Sequence, residues 1–208
     1  MKSYDLFHGI VINADQRASR RSPDQVPAAL EQLAAYEMTL PFERTTGDEI
    51  QGLTASPETA VAVTLRLVRS GGWRIGLGVG AVELPLPPST REARGPAYLA
   101  AREAIERAGR VSPGLAVGGP GAEPAEAALW LLITLAAQRS HAGWELADLL
   151  AGGLNQAEAA VRLGISASAV SQRAARAHLS EIASGSRLAA DLLTSALTLS
   201  DATARVKR

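Results

Sequence analysis

Leu40-Pro41-Phe42-Glu43-Arg44-Thr45-Thr46-Gly47-Asp48-Glu49-Ile50-Gln51-Gly52-Leu53 has the pattern of two extended segments joined by a short turn. Thr39, Leu40, Phe42, Arg44 and Thr45 suit one extended segment, and Ile50 to Leu53 suit a second. The Gly47-Asp48 pair between them predicts a tight hairpin, because glycine accepts positive φ at no steric cost. Asp48 and Glu49 are then held at a stiff tip. Oxygen ligands on a stiff support suit Mg²⁺, which takes one or two protein carboxylates and fills its shell with water and phosphate. Turn residues are often acidic for local reasons alone, so solvation of a turn is the plain alternative. A further acid reaching the same point would separate the two, and Asp15 is the candidate.

Leu6 to Asn13 is a short apolar run rich in β-branched residues, as in a buried central strand. Asp15 is expected just past its carboxyl end, where open α/β sheets bind ligands. Ser19, Arg20 and Arg21 follow, a hydroxyl and two guanidinium forks suited to phosphate. Ser22-Pro23-Asp24 opens a helix to about Ala35, and Ser56-Pro57-Glu58 opens another, stopped by Ser70-Gly71-Gly72. Trp73 to Glu83 reads as a strand with Gly76, Gly78 and Gly80 on one face and Ile75, Leu77 and Val79 on the other. Such a row marks close approach of a helix, backbone or ligand. It is not a dinucleotide fingerprint, because it lies within a strand and lacks the following acid. Gly95-Pro96 opens a helix over Ala97 to Ala108, and Val111 to Gly118 contains a last strand.

The order is β-α-β-β-α-β with a further helix and strand. It predicts an α+β chain whose first part, residues 1–120, is a ferredoxin-like (βαββαβ) palm-type domain. In that arrangement the first strand lies beside the hairpin, which brings Asp15 to Asp48 and Glu49. The Gly/Pro/Ala-rich segment from Gly114 to Pro124 marks the boundary to an all-α domain over 121–208.

In that second part, Ala125 to Arg139 is apolar almost all round and is expected to be buried. Trp144 to Leu150 forms a short helix. Residues 154–178 then read as a helix-turn-helix. Asn155 and Glu158 form a capping-box pair, Gly164 breaks the chain, Ile165 plugs inward and Ser166 caps the second helix. Val170 faces the core, while Ser168, Ser171, Gln172, Arg173 and Arg176 point outward. Short polar side chains at a helix start reach base edges, and arginines further along suit phosphates, so the partner expected is double-stranded DNA. Helix-turn-helix readers are usually dimers, which makes a homodimer the expected assembly. A helix over Ser186 to Leu199 closes the chain.

Composition bounds these readings. The 208 residues are 47% hydrophobic and carry no formal net charge, so nucleic-acid binding has to rest on a local patch. Cysteine is absent, which excludes disulfides, thiolate metal sites and a cysteine nucleophile. The apolar run from Ala127 to Ala137 falls short of the about 20 residues that cross a bilayer. No membrane partner and a cytoplasmic location are expected.

Four motifs carry a resemblance: Ala14 to Arg20, Phe42 to Gly52, Gly76 to Gly80, and Arg94 to Ala104. In combination the first half resembles the SatD family, and more distantly the palm of nucleotidyl and diguanylate cyclases. The resemblance implies Asp15 and Asp48 as metal ligands for Mg²⁺, Glu49 as an auxiliary acid, and Arg102 as a phosphate contact; Gly47 and Arg94 are further candidate nucleotide or phosphate contacts. Thr46 stands where diguanylate cyclases have glycine, and Ile50 where they have phenylalanine. The helical half is similar to the fourth region of sigma factors. Together these point to a DNA-binding transcriptional regulator whose first half binds a nucleotide with metal. A Mg-dependent cyclase or nucleotidyltransferase with a DNA-targeting tail is the alternative, and a phosphate-blind scaffold is the third.

Overall fold

The computed structural model describes residues 6–19 and 21–206, and among them the fold is α+β: five strands in one mixed sheet, with eight helices. Strand β1 (Leu6–Gln16) is central. Its neighbours are β3 (Glu49–Thr54) and β4 (Trp73–Glu83), both antiparallel to it. Strand β2 (Leu40–Arg44) pairs antiparallel with β3, and β5 (Leu115–Gly118) runs parallel to β4, giving the order β2-β3-β1-β4-β5.

The alternation of side chains assigns each face. Ile10, Ile12, Ala14, Ile50, Ile75, Leu77 and Val79 are buried on one side. There they meet α1 (Val26–Leu33), α2 (Pro57–Ser70), α4 (Glu123–Ala137) and the long α8 (Leu179–Val206). Val11 and Leu53 point the other way, toward α3 (Pro96–Ala108), whose Ala97 and Ala101 share their cluster. The glycine row lies on this second face. A methyl group built on Gly78 would stand 2.1 Å from the Ala97 carbonyl oxygen and 2.3 Å from the Ala101 nitrogen, and one on Gly76 would stand 2.4 Å from the Ile105 nitrogen. The close approach expected from sequence is therefore made by the backbone of a helix.

Residues on both sides of the boundary expected at 120 share the main core. Leu129, Leu132 and Ile133 of α4 and Leu193 and Ala196 of α8 lie in one buried cluster with the sheet. The helices α5 (His141–Ala151), α6 (Gln156–Leu163) and α7 (Ala167–Arg176) instead enclose a small core of their own around Leu146, Ala159, Ala160 and Val170.

Several elements differ from expectation for identifiable reasons. Strand β1 continues through Gln16, because the Gln16 amide is fully used: it donates to the Ser22 hydroxyl at 3.0 Å and the Pro23 carbonyl at 2.7 Å, and accepts from the Gln25 nitrogen at 2.9 Å. A buried polar group so satisfied does not end a strand. Asp15 is thus a residue of the strand and not of the loop after it. Helix α1 starts at Val26, whose nitrogen bonds the Asp24 carboxylate at 3.0 Å. Helix α8 is longer than its expected 186–199 span, since Ile182, Ala189, Leu193 and Ala196 extend one buried stripe. Leu131 of the apolar α4 is 72% exposed. Among the described residues, no helix is long and apolar enough to cross a membrane.

Candidate functional site

Antiparallel register brings the acids together. On β1, Asp15 lies opposite Glu49 of β3 on one side and opposite Arg74 of β4 on the other. Directly paired residues share a face, so all three side chains leave the sheet on the same side. The hairpin tip is tied down by its own bonds: Thr45 N to Glu49 O at 3.0 Å, Glu49 N to Thr46 O at 3.1 Å, with Gly47 at φ +59°. A further bond, Gln16 N to Asp48 O at 3.2 Å, fastens the turn to the end of β1. Asp48 therefore stands beside Asp15.

The electrostatics follow from that crowding. Burial, and then the charge of Asp48, push the Asp15 carboxyl above its ordinary range, while the Arg74 guanidinium, 3.1 Å away, pulls it back. Glu49 is also pushed up, first by burial. The Thr45 hydroxyl, which donates to Glu49 at 2.9 Å, opposes this, and the Asp15 charge adds to it. A neighbouring negative charge disfavours ionisation of a half-buried carboxyl. A divalent cation would relieve that repulsion, and hard oxygen donors suit Mg²⁺. Among the described residues no three such groups stand close enough to hold a cation as they are placed. Asp15 faces Arg74, so cation binding requires it to exchange that partner.

Next to the acids is a cleft of about 540 Å³, bounded by Arg17, Arg74, Arg110 and Ser112 together with the turn at Pro113-Gly114. Arg17 is fixed across it, donating to the Pro113 carbonyl at 3.0 Å. Gly114 has φ +85°, and a methyl group on it would overlap the Arg17 guanidinium. Three guanidinium groups border this one hollow, a chemistry suited to phosphate, with Arg17 bonded to the Pro113 carbonyl and Arg74 to Asp15. Sequence reading missed all three, because they come from three separate segments. The signal available was register, which places Arg74 opposite Asp15 once β1 and β4 are paired.

The residues expected to bind phosphate are dispersed. Ser19 is half-buried and Arg21 exposed in the turn after β1, while Arg20 lies outside the described residues. Gly47 is open at the hairpin tip. Arg102 is exposed on α3, and its charge reaches Glu49. Arg94 is not part of this group. Its carbonyl accepts from Glu83 N at 2.9 Å, at the far end of β4 from Arg74.

The second candidate surface is α7. Asn155 caps α6 in a complete capping box, Gly164 ends it at φ +64°, and Ser166 caps α7 through Ala169 N. Val170 is fully buried and Ile165 packs against the same cluster. Ser168, Ser171, Gln172 and Arg176 are exposed. Arg173 departs from the expectation of a free outward cation. Its guanidinium lies 3.6 Å from Glu145 of the neighbouring α5, and its side chain is only 26% exposed.

No family model, curated protein or solved structure gives a significant match to the chain.

Proposed function

We propose that the protein is a DNA-binding regulator whose sheet half binds a nucleotide or similar phosphate ligand together with a divalent metal. The observation that carries the ligand half is the register that sets Asp15 opposite Glu49, with the Asp48 turn fastened to the end of β1, next to the cleft of Arg17, Arg74 and Arg110. Asp15 and Asp48 would hold the cation, with Glu49 as a supporting acid and the arginines on the phosphates. The order β2-β3-β1-β4 with every neighbour antiparallel supports a ferredoxin-like, palm-type reading of this half. For DNA, the support is the independent core of α5–α7 and the polar outward residues of α7. Two copies would read two half-sites.

The test is fluorescence anisotropy of a labelled duplex with the full chain, with and without Mg²⁺ and ATP, GTP or a cyclic dinucleotide. The expected result is a shift in DNA affinity with the nucleotide recovered intact. Turnover of the nucleotide would favour the cyclase or nucleotidyltransferase reading. DNA binding indifferent to nucleotide and metal would leave the scaffold.

A further inference from the structure

A second cavity lies where the sheet half meets the α5–α7 unit. It measures about 480 Å³ and opens between α2, α5 and α8. Its size is that of a small-molecule site. The walls are mainly apolar, with Leu65, Leu150 and Ile182 among them. Helix α5 packs on α6 and α7, and long side chains span the gap from it to α2.

The charges in this cavity do not balance. Arg69 of α2 grips Asp148 of α5 through two bonds of 2.5 and 2.7 Å. Arg69 and Arg139 also stack on the Trp144 ring, at 4.9 and 4.7 Å from its centre. Arg66 lies on the same wall, and all three guanidinium groups act on the one carboxylate, Asp148. Burial and the like charge of Arg69 both disfavour the Arg139 cation. Three cations facing one anion at an apolar, aromatic wall specify a ligand with a negative head and an apolar body.

We propose that this cavity binds a small aromatic carboxylate, whose head takes the guanidinium groups around Asp148 and whose ring lies against the apolar wall of Leu65, Leu150 and Ile182. The ligand competes with Asp148 for Arg69 and so loosens the link between α2 and α5. Any effect on DNA rests on the reading of α7 given above; binding to the protein alone does not.

The test is isothermal titration of the full chain with 2-naphthoate, using 2-naphthalenemethanol and inorganic phosphate as comparators and no DNA. Expected are saturable binding of naphthoate at one site, affinity for the neutral alcohol lower by about tenfold or more, and no displacement by phosphate. Arg66→Gln should weaken naphthoate binding several-fold. Asp148→Asn, which removes the resident competitor, should tighten it. Absence of saturable binding, equal affinity for the alcohol, displacement by phosphate, an unchanged affinity in Arg66→Gln, or an unchanged or weaker affinity in Asp148→Asn each overturns the proposal. Arg66 lies outside the Arg69–Asp148 clamp, so its variant decides the matter even if Asp148→Asn fails to fold.

Discussion

Gly78→Ala is expected to lower the stability of the protein by about 3 kcal/mol, or roughly 6–12 °C in melting temperature for a chain of this size. The added methyl would meet the Ala97 carbonyl and the Ala101 nitrogen of α3 at 2.1 and 2.3 Å. Both are helix backbone atoms, so no side-chain rotation relieves the clash. Helix α3 would have to lift from the sheet and uncover Ala97, Ala101 and Val11, which are fully buried. Gly185→Ala is the control. It sits within α8 and meets only the Leu132 Cδ1 at 3.1 Å, while helix propensity favours alanine by about 1 kcal/mol. Thermal melts of the two variants check this. Equal stability of Gly78→Ala and the parent would mean that α3 does not lie against the glycine face.

A second large effect is expected where α7 contacts DNA, as proposed above. Each phosphate contact contributes about 0.9 to the slope of log affinity against log salt. Arg176 is exposed, whereas Arg173 is held by Glu145 at 3.6 Å. Arg173→Ala plus Arg176→Ala should therefore flatten the slope by between about one and two units, with Arg176 supplying the larger share. Glu145→Gln, which releases Arg173, should steepen it. Anisotropy titrations across a salt series measure all three. An unchanged slope in the double variant would remove α7 from the interface.

Much of this was legible in the sequence because the signals are local. The hairpin at Thr46-Gly47-Asp48-Glu49, the caps at Ser56, Asn155 and Ser166, and the turn at Gly164 all form as their residues dictate. The glycine row announced a close approach but not its source, since the partner α3 comes from later in the chain. The apolar pattern of β1 stops short of Asp15 because Asn13 and Gln16, polar yet buried, interrupt it. Only their hydrogen-bond partners show that the strand goes on. The same limit hid Arg17, Arg74 and Arg110, and it hid the Glu145 that restrains Arg173. Charge partners drawn from distant segments leave no local pattern.

In the function proposed above, the carboxylates of β1 and of the hairpin turn hold a cation for a phosphate ligand. Calorimetry of the protein with ATP, GTP and cyclic dinucleotides, with and without Mg²⁺, tests it most directly, with Asp48→Asn as the paired variant. One of these ligands should bind only when Mg²⁺ is present, and Asp48→Asn should lose that binding. Burial raises both the Asp15 and Glu49 carboxyls, helped by the charge of Asp48 on Asp15 and of Asp15 on Glu49, so both keep their protons to higher pH than ordinary acids do. Metal ligands must be deprotonated, so affinity should fall as pH drops through those raised values and recover toward neutrality. Nucleotide binding that ignores Mg²⁺, or that survives Asp48→Asn unchanged, would contradict the account.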